Sequence, residues 1–396
     1  MRSRKLTSHI TLLVWSLLAC AACARASQNW DPLAAQCCSF ERLLRYAQSA
    51  AYNPASNTLV IFGGQIEAQL PQNYTDLNDL WVLTNANGLG GTPNWVNLIQ
   101  QGDPASPTPR YGAFTAYDQA NNRMIVFGGC SGGCLPVLND VWVLANADGS
   151  TGEPNWMQLF PTGGPPAART WGATVYDPGS NSLIIFGGQD GSGSGGNTFQ
   201  DVWVLSNANG LGGTPTWTQL SPVGGPPPGQ FGPSGVYDQA HNVMVVFGGG
   251  AHGTGNETNA VWALQHANGQ AGTPTWVNLV PEGTKGSPQA RQNHTAVYDP
   301  TSNEMVAFGG AVFGVNGIGG SLNDVWVLSN ANGMGGTPAW TRRFPGSQTL
   351  TGQTPAARSN HSAAYDMGNN RMMVFGGAGF EGLFYSTWVL TDANGQ

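Results

Sequence analysis

The sequence predicts an all-β chain built as a radial array of six four-stranded sheets, and three observations carry that expectation. One unit recurs six times at a nearly regular interval, marked by Tyr52, Tyr117, Tyr176, Tyr237, Tyr298 and Tyr365. Each copy holds short runs of aromatic and β-branched residues separated by Gly, Pro, Asn and Asp, the pattern of strands joined by tight turns. No stretch shows a competing helical period. Units that each supply one sheet bury their faces by stacking, and a ring of them leaves few exposed edges.

The elements follow in order. Strand one opens at Arg45, Arg110, Arg169, Arg291 and Arg358, with Gln230 in the remaining unit, and carries the repeated Tyr. Residues 40–51 could pass for a helix, but they align with the first strand of the other units. Strand two is an apolar run ending in Gly-Gly, as in VIFGG to Gly64 and MIVFGG to Gly129, and the interval from Tyr to Gly-Gly is the same in all six units. Strand three begins at Trp81, Trp142, Trp203, Trp262, Trp326 and Trp388. Strand four carries Trp95, Trp156, Trp217, Trp276 and Trp340, again at a constant interval. The sixth unit stops after its third strand. Asn29-Trp30 matches Asn94-Trp95, and Trp30 precedes Arg45 by the same interval as Trp95 precedes Arg110. The N-terminal segment is therefore expected to supply the last strand and close the ring, which removes an exposed edge.

These marks, namely the Gly-Gly after strand two, the Tyr before it, the later Trp and the Arg opening strand one, resemble those of the Kelch family over residues 27–396. The resemblance implies a six-bladed Kelch-type β-propeller whose last blade is closed by the N-terminal strand. It leaves function open, because propellers host both binding and catalysis. Extracellular Kelch-like propellers include galactose oxidase, sialic-acid mutarotases and attractin-like binding domains.

Residues 1–26 read as an export signal: Arg2, Arg4 and Lys5, an apolar run from Ile10 to Ala22, and Ala24-Arg25-Ala26 as a cleavage site. The run is shorter than the ~20 residues of a membrane span. Leu17-Leu18-Ala19-Cys20 also resembles a lipobox, so a lipid anchor at Cys20 is the minor alternative to plain secretion into the periplasm or medium. The segment takes Arg2, Arg4, Lys5 and Arg25 from the 15 basic residues and none of the 22 acidic ones, so the remainder is more acidic still. With no basic stripe, nucleic acid is argued against as a partner. Cys37, Cys38, Cys130 and Cys134 remain, and an even count in an exported protein suggests disulfides. Two layouts are open. Cys37 and Cys38 could cross-link to Cys130 and Cys134, or Cys130 and Cys134 could close a local loop. The first is favoured, because adjacent cysteines rarely bond to each other without strain.

Connections 1–2 and 3–4 have constant length in every complete unit, whereas 2–3 and 4–1 vary. The second Gly and the strand-three Trp are farthest apart in the first unit, Gly64 to Trp81, and closest in the sixth, Gly377 to Trp388. In up-and-down blades the two variable connections share one face, and binding loops on a rigid scaffold vary. The constant face repeats Asn85-Ala-Asn87-Gly, Asn207-Ala-Asn209-Gly and Asn330-Ala-Asn332-Gly, which suits turns. It has too few carboxylates for a Ca²⁺ loop. Candidate ligand residues lie on the variable side. Arg45, Arg110, Arg169, Arg291 and Arg358 could grip a carboxylate, but Asp79, Asp140, Asp201 and Asp324 are placed to pair with four of them. Tyr46, Tyr111, Trp171 and Phe231 would form an aromatic arc facing Asn293, His294, Asn360 and His361, an arrangement suited to a sugar.

The expected function is that of a secreted, monomeric binding module for a glycan or an extracellular protein, with no cofactor or metal. The alternative is a channel-mouth enzyme on a sugar, mutarotase-like. Two His without a third readable ligand are weak evidence for a metal. The copper site of galactose oxidase needs a Tyr–Cys link, and only Cys37 and Cys38, expected in disulfides, lie near a strand-one Tyr.

Overall fold

A computed structural model describes residues 28–37, 43–68, 73–191, 196–251, 256–312, 319–346 and 354–396. Six four-stranded antiparallel sheets form the body. In the first, strands Ser49–Asn53, Thr58–Phe62, Leu80–Thr84 and Asn94–Ile99 pair in sequence order. The innermost strands of the six blades, Ser49–Asn53, Phe114–Asp118, Ala173–Asp177, Ser234–Asp238, Thr295–Asp299 and Ser362–Asp366, contact one another in turn, and the last contacts the first. The ring is a closed six-bladed propeller. No α-helix occurs among the described residues. The export-signal reading falls on residues 1–26, outside them.

Strand two is sandwiched by neighbours on both faces, which is why its apolar run is unbroken: Thr58–Phe62, Ser182–Phe186 and Val243–Phe247 are buried throughout. Strand four has one dry side. In Asn94–Ile99 the Trp95 ring is buried between exposed flanks. Each strand-four Trp crosses to the preceding blade and packs on the Phe of its strand two, with ring centroids 4.6–5.0 Å apart at all six interfaces. Such pairs contribute about 0.5–1.5 kcal/mol each beyond their buried area.

The sixth interface is supplied by Trp30 on Phe308. Its strand, Asn29–Pro32, pairs antiparallel with Thr387–Thr391, Asn29 opposite Thr391 and Pro32 opposite Trp388. The N-terminal strand thus occupies the fourth position of blade six, in the register that the Trp spacing predicts.

The Gly-Gly motif has a steric cause. Both glycines have positive φ, and a Cβ on the first would lie 2.6–3.0 Å from the carbonyl oxygen of the next blade's Arg or Gln. The second donates its N–H to that same carbonyl at 2.8–3.0 Å, in all six blades.

The constant face is riveted. Each strand-one Tyr donates its hydroxyl to an Asn five residues on, at 2.8–3.1 Å. The second Asn of the 3–4 turn then reaches the preceding blade: Asn87 to Asp366, Asn209 to Asp118, Asn268 to Asp177, Asn332 to Asp238 and Asn394 to Asp299, at 2.6–2.8 Å. Between blades one and two the pair is exchanged, and Asn53 donates to Asp148 at 2.7 Å. The repeated Asn motif is thus more than a turn, since it joins every blade to its neighbour.

Candidate functional site

Four of the five arginines that open strand one are committed to the blade interior. Arg45, Arg110, Arg169 and Arg291 are at most 1% exposed. Each grips its aspartate, Asp79, Asp140, Asp201 or Asp324, through both terminal nitrogens, at 2.6–2.8 Å and 2.8–3.0 Å. A third bond runs to the carbonyl of the first glycine of the pair. The strand-three Trp donates its indole N–H to the same aspartate at 2.7 Å. Burial opposes ionisation of Asp140, Asp201 and Asp324, but the facing guanidinium outweighs it and holds each carboxyl below its ordinary range. These groups staple strand one to strands two and three, the structural pairing that the Asp spacing had offered beside ligand contact.

Blade four solves the same position without charge, with Gln230 and Ala260 in place of the pair. Blade six keeps the cation alone: Arg358 faces Ser386, whose Oγ lies 3.2 Å from Nη2.

Two residues past each arginine position the chain turns into the left-handed region. Ala47, Gly112, Trp171, Gly232, Asn293 and Asn360 all have φ between 50° and 66°. Each N–H donates to the carbonyl of the same position in the preceding blade, and Ala47 donates to Asn360, so the bonds close a circle around the axis at 2.7–3.0 Å. Six residues hold the throat of the propeller with their backbones, and Trp171, Asn293 and Asn360 line it with their side chains. Glycine in blades two and four makes room: a Cβ at Gly112 would lie 2.9 Å from the Trp171 ring, and one at Gly232 would lie 2.3 Å from Asn293 Oδ1. A cavity of about 140 Å³ at this throat is lined by Gln48, Trp171, Asn293, Asn360 and their ring neighbours.

The aromatic arc is present, in a different register from the sequence expectation. Tyr46, Tyr111 and Phe231 sit one residue past the arginine position, and Trp171 sits two past. The rings nonetheless form one chain, Tyr46 to Tyr111 to Trp171 to Phe231, with centroids 6.4, 5.4 and 5.1 Å apart. Tyr111 and Phe231 are buried, while Tyr46 and Trp171 are partly open.

His294 and His361, expected on the polar arc, line the same cavity and also bond across to the preceding blade. Their Nε2 atoms bond Ser234 and Thr295 at 2.8 Å, and their rings pack edge-on against Phe247 and Phe308. Burial, with Arg291 and His361 nearby, pushes His294 well below the ordinary imidazole value. Burial and Arg358 push His361 down to about 3. Both are neutral structural groups. Gln48 fills the equivalent position in blade one, donating to Ser362 at 2.8 Å. That third position past the arginine, and the ring at the second, were readable only by aligning the units residue by residue.

The Kelch-repeats domain described for KLHDC2, KLHL20 and DRC7 matches residues 25–209 and 213–345. The chain belongs to this Kelch-repeat family. Putative adagio-like protein 2 of Oryza sativa subsp. japonica is 27% identical to this Kelch chain over 348 residues, 85% of the chain and 47% of that protein. Dynein regulatory complex subunit 7 of Chlamydomonas reinhardtii is 32% identical over 130 residues, 33% of the chain and 10% of that protein. The chain thus spans less than half the length of these relatives. Among solved structures, that of YjhT superposes with a TM-score of 0.59 at 16% identity, covering 87% of this chain and 94% of that one, a likeness of fold.

One feature of this Kelch propeller corrects the sequence expectation. Cys130 and Cys134 bond to each other, with Cα atoms 4.3 Å apart, so the cross-link to the N-terminal segment is not formed. The reversal from Cys130 to Cys134 is tight, and Gly132, Gly133 and Cys134 all have positive φ. The loop docks on blade one, where Asp76 accepts the Gly132 N–H at 2.7 Å. Cys38 lies outside the described residues. Among those residues no group of three or more His, Cys, Asp or Glu could hold a metal, and no helix is long and apolar enough to cross a membrane.

Proposed function

We propose that this Kelch propeller is an exported binding module that engages a glycan or a protein on the face built from the 2–3 and 4–1 connections. The observation that carries the reading is the contrast between the two faces. One is held by a cycle of Tyr–Asn and Asn–Asp bonds and has constant turns. The other varies in loop length and presents Trp171, Asn293 and Asn360 at the axial throat. Trp171 supports this most directly, because a bulky residue at φ 50° is strained, and such strain gathers at functional positions. An indole wall facing two carboxamides suits a ligand with an apolar face and hydroxyl or amide groups. Acid–base chemistry at the throat lacks a titrating histidine, since His294 and His361 are buried and neutral, so binding without turnover is expected.

The test is a glycan-array and protein-capture screen of residues 27–396 with product analysis. Trp171→Gly, which borrows the residue of blades two and four, and Asn360→Ala should each weaken the ligand found at least tenfold, with the fold intact. Turnover of a sugar, or binding indifferent to both substitutions, overturns the reading.

A further inference from the structure

Blade six differs from its siblings at one buried charge. In blades one, two, three and five the strand-one guanidinium is matched by an aspartate on its outer edge. In blades two and three that aspartate side chain is 23% and 24% exposed while the arginine is at most 1% exposed. The carboxylate position therefore reaches solvent although the cation does not.

Arg358 keeps the rest of the arrangement. Its Nε donates to the Ala356 carbonyl and its Nη1 to the Gly376 carbonyl, both at 3.0 Å. The residue at the aspartate position is Ser386, a neutral hydroxyl 3.2 Å from Nη2. Among the described residues no carboxylate lies within ion-pair distance of Arg358. Burial pushes this guanidinium down to about 9, a measure of how poorly its charge is compensated.

Phe384 lies over the guanidinium, its centroid 4.3 Å from Cζ, but it does not occupy the edge. Blade three shows this directly: Phe199 covers Arg169 in the same way at 4.1 Å, and Asp201 still binds the edge through both nitrogens. Nor is the charge needed to complete a blade, since blade four is complete with Gln230 and Ala260. A cation retained without its anion costs stability, and that cost is offset when an anion arrives from outside.

We propose that blade six holds a carboxylate-binding site on Arg358 and Ser386, where a ligand carboxylate takes the place that aspartate takes in the other blades. The guanidinium fork accepts a carboxylate bidentately, and the Ser386 hydroxyl adds a second kind of donor. The rim favours an acidic sugar as the source. Phe380 and Tyr385, in the same connection, are 105% and 47% exposed and offer apolar rings for a pyranose face. The proposal rests on the reading that this face is the working one.

The experiment uses residues 27–396, with acetate, glucuronate and glucose as probes, in calorimetric titration and thermal unfolding. Glucuronate is expected to bind and raise the Tm, acetate to compete with it more weakly, and glucose to do neither. Ser386→Asp installs the internal carboxylate of the other blades. It should raise the Tm without ligand and lower glucuronate affinity at least tenfold. Arg358→Gln, the residue of blade four, serves as the second variant and should abolish binding. Glucuronate binding that survives Ser386→Asp or Arg358→Gln at full affinity overturns the site, as does a wild-type protein that ignores both carboxylates at millimolar concentration. A ligand lost in Trp171→Gly but held unchanged by Ser386→Asp would leave the binding face standing and remove only this site.

Discussion

His294 and His361 are groups whose protonation burial disfavours. Their folded pKa values lie below the ordinary 6.5, His361 at about 3, while the unfolded chain takes up protons near 6.5. The unfolded state therefore binds more protons than the folded one below that pH, and acidification favours unfolding. Each histidine should drain about 1.4 kcal/mol per pH unit below ~6. The loss deepens below ~4, where the depressed Asp140, Asp201 and Asp324 begin to matter. Denaturant unfolding between pH 7.5 and 4.5 should show a slope near two protons that starts close to pH 6.5. Replacing either histidine by Gln, which Gln48 shows can make the same inter-blade bond, should remove about one proton from the slope. A flat profile in the wild type would contradict the buried, neutral assignment.

The closing strand is a short element with a large duty. Trp30 is 3% exposed on Phe308, and Leu33 approaches Gly88 of blade one, as Leu98 approaches Gly149. Trp30→Ala should cost about 3–5 kcal/mol, the range for a large buried aromatic. Deleting residues 27–33 should expose the Thr387–Thr391 edge and promote aggregation, read by light scattering during thermal unfolding. A soluble deletion with an unchanged Tm would rule out closure by this strand. Closure could be read from the chain because Asn29-Trp30 repeats Asn94-Trp95 and precedes Arg45 by the interval at which Trp95 precedes Arg110. The disulfide could not. Two connections on one face say nothing about whether their sulfurs lie within bonding reach, and the local bridge, the less favoured of the two layouts, is the one formed. The aromatic chain holds the four residues that the sequence named, but they occupy two positions rather than one. Tyr46, Tyr111 and Phe231 share a position, and Trp171 belongs to the next, where only a positive φ reveals that Ala, Gly, Trp and Asn do one backbone job.

Around the ring, the exchanged pair Asn53–Asp148 labels a single interface. The other five place Asp on strand one and Asn on the following blade's turn, so blade two's turn fits only behind blade one. Asn53→Asp would set two buried carboxylates against each other. Asp148→Asn would face amide with amide and lose the charge-assisted bonds from Ser56 and Asn122. The single changes should each lower stability by roughly 1–3 kcal/mol, and the double exchange should recover much of the loss, giving a coupling of about 0.5–3 kcal/mol in a double-mutant cycle. Additive losses would mean that the pair is not the unit of recognition between blades.

The seam at blade six also sets orientation. The chain enters the ring at Asn29, opposite Thr391, and Gln28 donates to the Ala393 carbonyl at 2.7 Å, so both ends of the propeller leave from the constant face beside the Asn–Asp rivets. A tether at either end, whether a lipid, a linker or a surface used for immobilisation, holds the ring by its locked side and turns the Trp171 and Arg358 side outward. An immobilised sample attached through residue 28 or residue 396 should thus present the same surface to a ligand in solution.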